Sequence, residues 1–335
     1  MLDSHRFGRG PALVVAFAAC AALAIVAYLL LAAPPSSQGS SAAPAHAVAG
    51  HGKDRARVRR WTRYAATHPA TQVGPGHLSR IFFHSQALHR VADYLVYLPR
   101  DYRPTHRLPV FYGLHGMPGR PLAFTANADI ELRLERLIAA GRVSPMILVF
   151  PDGRIDGRTS SDSEWANTRS GAFLSYVVDV VHDVDLRFAT LPFRQDRVIA
   201  GLSAGAYGAV NLGLHAPALF GAVQVWSGYF LQTPTGVFSH ATPQQIFDNS
   251  PLEYVFTRRV QLRRDPLRAF FYVGRDESDS WQTPPMVAAL RATGSDVDWA
   301  IYPGGHNWNL WSGRLNQMLL LAARDFAAGP APAPE

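Results

Sequence analysis

The chain has 335 residues, 48% of them hydrophobic and 17% charged, enough for one globular domain of roughly 250–270 residues behind an N-terminal extension. Residues 1–63 hold eight basic groups against Asp3 and Asp54, so the remaining 272 carry 24 basic and 23 acidic side chains, and the net +7 gives the body no polyanion-binding excess. Nucleic acid is therefore not an expected partner. The one cysteine, Cys20, lies in an apolar N-terminal run, which excludes a disulfide, a cysteine zinc site or a cysteine nucleophile from the globular part.

Residues 1–10 are a short N-terminus with Arg6 and Arg9, followed by the charge-free run Pro11–Ala33. As a helix that run crosses the ~30 Å core of a bilayer. No positive charge follows it until Lys53, so the positive-inside rule predicts a single-pass anchor at the cell membrane with the body outside. Cleavage as a signal sequence, with secretion of the body, is the alternative, and its best small-residue site, Ala45-His46-Ala47, lies far from the apolar end. A lipoprotein reading at Cys20 fails because the apolar run continues past it. Residues 34–52 are rich in Pro, Ser, Ala and Gly and read as a spacer. The basic stretch Lys53–Arg63 completes the linker, either as a solvated segment or as a contact for anionic headgroups.

The body, residues 64–327, alternates strand-like and helical patterns. Strands are expected at Arg80–Ser85, Val91–Leu98, Leu108–Leu114, Met146–Phe150, Val198–Ala200, Ala222–Val225, Ala269–Val273 and Val297–Ile301. Helices are expected at Ile130–Ala140, Phe173–Phe188, Ala204–His215, Pro284–Ala292 and Leu310–Phe326. Short apolar strands separated by helices predict a mostly parallel sheet covered on both faces, with ligands at the carboxyl ends of its strands. Residues 328–335 read as a loose Pro/Ala-rich tail.

Gly201-Leu202-Ser203-Ala204-Gly205 follows one predicted strand and opens a helix. That is the context of a nucleophile elbow, where glycines two before and two after the serine let strand and helix approach. Ser203 is the candidate nucleophile, and the helix N-terminus offers free N–H groups to a developing oxyanion. Three histidines follow it. His215 lies at a helix end and His240 in a polar loop, whereas His306, in Tyr302-Pro303-Gly304-Gly305-His306-Asn307-Trp308 after the last strand, is placed to act as base. Phe270-Phe271-Tyr272-Val273-Gly274 is followed by Asp276, Glu277 and Asp279, three competing carboxylates. Proximity to the strand end favours Asp276 as the acid that orients the imidazole. One oxyanion donor is expected at Ala204. The second is expected in the loop Leu114-His115-Gly116-Met117-Pro118, at Met117 or Gly116 because Pro118 has no N–H.

Taken with Tyr97-Leu98-Pro99, Val149-Phe150-Pro151-Asp152-Gly153, Gly201–Gly208, Pro217-Ala218-Leu219-Phe220 and Trp226-Ser227-Gly228, these motifs resemble the esterase D / putative-esterase family of α/β-hydrolases over about residues 80–327. Enterochelin, feruloyl and S-formylglutathione esterases belong to that family, and mycolyltransferases to the same wider group. The resemblance implies an α/β-hydrolase fold and a triad of Ser203, Asp276 and His306, with backbone donors at Met117 and Ala204. Many members place the acid three residues after the glycine, which here is Glu277. Asp162-Ser163-Glu164-Trp165 resembles a cleft-lining segment, and Trp308 and Trp311 beside the base are candidate pocket walls. His115 reads first as a structural neighbour of the elbow and, with Trp165, is a further candidate for the substrate pocket. No cofactor is implied. The carboxylates Asp152, Asp156, Asp162 and Glu164 lack a matching ligand set, so no metal is expected. The expected substrate is a small-molecule, lipid or glycan ester. Transfer of the acyl group to an envelope acceptor, and a non-catalytic binding module of the same fold, are the alternatives.

Overall fold

The computed structural model describes residues 74–328 apart from residue 159. The expected anchor, the linker 34–63, residues 64–73 of the expected body and residues 329–335 of the tail lie outside these. No described helix is long and apolar enough to cross a membrane.

Eight strands form the main sheet among the described residues: β1 Leu78–Ser85, β2 Arg90–Tyr97, β3 Val110–Leu114, β4 Ile147–Pro151, β5 Arg197–Leu202, β6 Ala222–Trp226, β7 Arg268–Gly274 and β8 Asp296–Tyr302. Their order is β1-β2-β4-β3-β5-β6-β7-β8. The pairs β1/β2 and β2/β4 are antiparallel, and every later pair is parallel. This is the α/β-hydrolase-like fold with a mostly parallel sheet. Central strands β3, β4, β5 and β6 are buried along their whole length, as a sheet covered on both faces requires.

Five longer helices supply the cover: α1 Ile130–Ala139, α2 Phe173–Arg187, α3 Ala204–His215, α4 Thr283–Ala292 and α5 Trp308–Ala327. Val177, Val180 and Val184 of α2, Ala206 and Val210 of α3 and Met286 and Leu290 of α4 join one apolar cluster with Tyr112, Val149 and Ile199. Leu134 of α1 and Leu315, Met318 and Leu319 of α5 join the other with Phe111, Leu148 and Val198. Alternate residues of each strand thus face opposite layers, the period-two rule of a pleated strand. All eight strands and both clusters lie within residues 78–327, so a chain beginning at residue 64 carries every described element of the sheet and core.

Boundaries move for local reasons. β3 starts at Val110 rather than Leu108, because Pro109 cannot donate to a ladder. α5 starts at Trp308 because the Asn307 side chain accepts from Asn309 N and Leu310 N and caps it. The segment between β6 and β7, unassigned in the sequence reading, holds short helices at Pro243–Phe247, Pro251–Tyr254 and Arg259–Arg264. Ala123–Ala128 is a further short helix that the sequence pattern did not reveal.

Candidate active site

Ser203 stands between the end of β5 and the start of α3 at φ 56°, ψ −122°, a conformation that L-residues seldom adopt. Several groups hold it there. Its N–H donates to Trp226 O at 2.9 Å, and its carbonyl accepts from Ala206 N and Tyr207 N. The flanking glycines are needed for contact: a Cβ on Gly201 would fall 2.1 Å from Gly205 O, and one on Gly205 would fall 2.1 Å from Leu114 O. Helix α3 is buried on every side, so its small residues are a packing requirement of the elbow.

His306 arrives on the loop after β8. Its Nε2 lies 2.8 Å from Ser203 Oγ and its Nδ1 3.1 Å from Glu277 Oε2. The residue meeting the imidazole is therefore Glu277, and the expectation of Asp276 in that place is corrected. The reason is the turn after β7. Asp276 N donates to Gly304 O, and Glu277 N donates back to Gly274 O, which curls Glu277 over the strand end. Its longer side chain then receives Gly274 N at 2.6 Å and Ser227 Oγ at 2.7 Å on Oε1, leaving Oε2 for His306. Asp279 lies beyond, in the 3₁₀ turn Ser278–Gln282.

Burial alone would raise the Glu277 pKa, but the hydrogen bonds from His306, Ser227 and Gly274 N outweigh it and hold the carboxylate below the ordinary glutamate range. Ser227, which the sequence reading gave no role, sits at φ 58° and accepts from Trp311 Nε1 at 2.8 Å. Trp311 also packs edge-on to His306, with ring centroids 5.0 Å apart. A relay thus runs Trp311–Ser227–Glu277–His306–Ser203. Only the Ser-Gly step after β6 hinted at it in the sequence.

The β3 loop places Gly116 against the elbow, since a Cβ there would come within 3.0 Å of Ser203 Cβ. Met117 follows, half exposed, and Ala204 is the first residue of α3, where backbone N–H groups have no helical acceptor. His115 is 2% exposed; its Nε2 accepts from Gly153 N and its Nδ1–H donates to Gly116 O. Trp165, fully buried, donates Nε1–H to His115 O and packs edge-on to that ring. Trp308, partly exposed, lies edge-on to Phe124 and Trp311. Of the loop carboxylates, Asp152 pairs with Arg154 at 2.6 Å and Asp156 with Arg158 at 3.3 Å.

Glu164 differs from its neighbours. Burial and the nearby Asp162 carboxylate push its pKa up to about 7, against the partial relief of a hydrogen bond from Tyr229 OH. A raised folded-state pKa gives stability that is present below the unfolded value and lost as pH rises through the folded one. Glu164→Gln is therefore expected to gain on the wild type between pH ~5 and pH ~8, by about 2–3 kcal/mol. Thermal melts of both proteins across that range check it, and a constant difference in Tm would refute the titration.

Comparison with known proteins gives the family and the fold. The family model described as "Putative esterase" matches residues 85–322. The endo-1,4-beta-xylanase/feruloyl esterase of Xylanibacter ruminicola is 25% identical over 191 residues, 55% of this chain and 24% of that protein. The iron(III) enterobactin esterase of Dickeya dadantii is 31% identical over 184 residues, 54% of this chain and 41% of that protein. The chain thus spans less than half the length of these curated relatives. Among solved structures, a ferulic acid esterase superposes with TM-score 0.66 at 24% identity, covering 74% of this chain and 98% of that one. The S-formylglutathione hydrolase of Staphylococcus aureus superposes with TM-score 0.60 at 15% identity, over 74% of this chain and 98% of that one. At these identities the structural likeness speaks for the fold.

Proposed function

The chain belongs to the "Putative esterase" family, and we propose that it is a serine esterase working through Ser203, His306 and Glu277 by way of an acyl-enzyme. The observation that carries this is the imidazole held between a strained serine hydroxyl, at 2.8 Å, and a buried carboxylate, at 3.1 Å. His306 Nε2 takes the Ser203 proton as Oγ attacks the ester carbonyl, and Glu277 stabilises the imidazolium that results. The N–H groups of Met117 and Ala204 receive the developing oxyanion. Collapse breaks the ester C–O bond, and His306 returns its proton to the departing alcohol. Water then attacks the acyl-serine with His306 again as base, releasing the acid and restoring Ser203.

The substrate proposed is a small-molecule, lipid or glycan ester, bound at the strand ends beside Met117 and Trp308. The place proposed is the outer side of a membrane, tethered through Pro11–Ala33, because Arg6 and Arg9 flank only the N-terminal side of that run. The test is a fluorophosphonate probe on residues 64–335, read by intact mass, followed by p-nitrophenyl esters of graded acyl length. One adduct per chain on Ser203, with steady ester turnover, is the expected outcome. A folded domain that takes no probe and turns over no ester would overturn the reading.

A further inference from the structure

We propose that the exposed stripe from Phe256 to Arg264 is a docking surface for an anionic phospholipid bilayer, holding the domain with the edge that bears Ser203 turned away from the lipid. The stripe is built into the fold. Across residues 255–264, Val255 and Leu262 are fully buried. The side chains around those anchors, Phe256, Arg259, Val260, Arg263 and Arg264, recur at helical spacing on the outer face and are exposed. Val260 is 80% exposed, the most of any large apolar side chain among the described residues, and Phe256 is 40% exposed.

Charge accompanies these two apolar groups. Residues 255–264 contain Arg258, Arg259, Arg263 and Arg264 and no carboxylate, although the body from residue 64 is close to neutral. Arg258 bonds His215 at 3.0 Å and Arg264 pairs with Asp265 at 2.9 Å. Arg259 and Arg263 make no ion pair among the described residues. Exposed guanidinium groups beside apolar side chains match the phosphates and acyl boundary of an anionic leaflet, whereas a neutral solvated surface needs neither.

The register places the stripe. One row of paired residues crosses the sheet from Leu78 through Tyr97, Leu148, Phe111, Val198 and Ala222 to Arg268. Strands β3 and β5–β7 run from this row, or from the residue before it, toward the edge that carries His115, Ser203, Ser227 and Glu277. The stripe ends four residues before Arg268. Its Arg258 holds His215, the far end of α3, which lies twelve residues after Ser203 along the helix, about 18 Å. The first strand also begins on this row, at Leu78. The first strand and the stripe thus share the edge opposite the candidate site.

Residues 64–335 provide the test, because they lack the apolar run, Lys53–Arg63 and Cys20. Sedimentation with vesicles of roughly one-third phosphatidylglycerol in phosphatidylcholine is expected to capture the domain at low salt, and vesicles of phosphatidylcholine alone are not. Arg259→Gln with Arg263→Gln is expected to weaken capture roughly twentyfold, and Val260→Asp to weaken it further. Both variants should keep wild-type turnover of a soluble ester, which shows the fold intact whether or not the triad is correctly assigned. An environment-sensitive dye on Val260→Cys is expected to shift to the blue on those vesicles, and the same dye on Trp281→Cys, exposed in the 3₁₀ turn Ser278–Gln282 that follows Glu277, is not. Equal capture by both lipids, capture unchanged in the variants, or a blue shift at Trp281 alone would overturn the proposal.

Discussion

Ser203→Ala is expected to lower kcat for p-nitrophenyl esters by roughly 10⁵- to 10⁶-fold and to abolish fluorophosphonate labelling, with the fold unchanged. The size follows from what one atom does in this geometry. Ser203 Oγ is the atom 2.8 Å from the base, and it is the group held out by a strained backbone between two glycines that admit no side chain. Alanine occupies the same φ of 56° at no greater cost, because both residues carry a Cβ. The loss in stability is confined to one part-buried hydrogen bond, about 1 kcal/mol, or a Tm shift of about 2–4 °C in a domain of this size. Residual turnover above the background of water is expected from the oxyanion donors alone. Turnover in Ser203→Ala within tenfold of wild type would reassign the nucleophile, and a collapse in Tm would say that the hydroxyl holds the elbow together.

The architecture was legible because its elements carry strong local signals. Fully apolar runs such as Phe111–Leu114 and Leu148–Phe150 suit only strands buried on both faces, and amphipathic stretches such as Ile130–Ala139 suit helices laid over them. The segment between β6 and β7 was not legible. Its three helices are of four to six residues, too short to hold their shape without the tertiary contacts that the sequence does not display. The consequences are practical, since Phe256 and Val260 have no meaning until Val255 and Leu262 are known to face inward.

Within the candidate site the serine and the histidine were legible for different reasons. Ser203 is announced by a steric pattern, glycine at both flanking positions, which only a tight strand-to-helix turn demands. His306 is announced by chain order and by a loop of two glycines after the last strand. The acid had no such mark. Asp276, Glu277 and Asp279 all follow β7 within five residues of Gly274, and distance along the chain favours Asp276. What decides between them is a turn in which Glu277 N reaches back to Gly274 O, a contact that exists only when the chain is folded.

That assignment yields the second large effect. Glu277→Gln is expected to lower kcat by roughly 10³- to 10⁴-fold, while Asp276→Asn stays within about threefold of wild type. Glutamine preserves length and shape, so Ser227 and Gly274 N keep an acceptor, but an amide cannot balance the imidazolium that forms during attack. It also offers His306 Nδ1 a donor as readily as an acceptor, which lets the ring settle with Nε2 protonated and unable to take the serine proton. Because hydrogen bonds hold Glu277 below the ordinary glutamate range, it remains ionised across neutral pH, and the activity lost in Glu277→Gln should not return at higher pH. Ser227→Ala removes one of the three hydrogen bonds that depress that pKa, and a loss of about tenfold is expected, largest on the acid side of the pH profile. Rate measurements on these three variants from pH ~5 to pH ~9 separate the roles. A large loss in Asp276→Asn with little in Glu277→Gln would restore the acid that proximity to the strand end favoured. Equal losses in both would mean that the turn after β7, rather than either carboxylate, is what His306 requires.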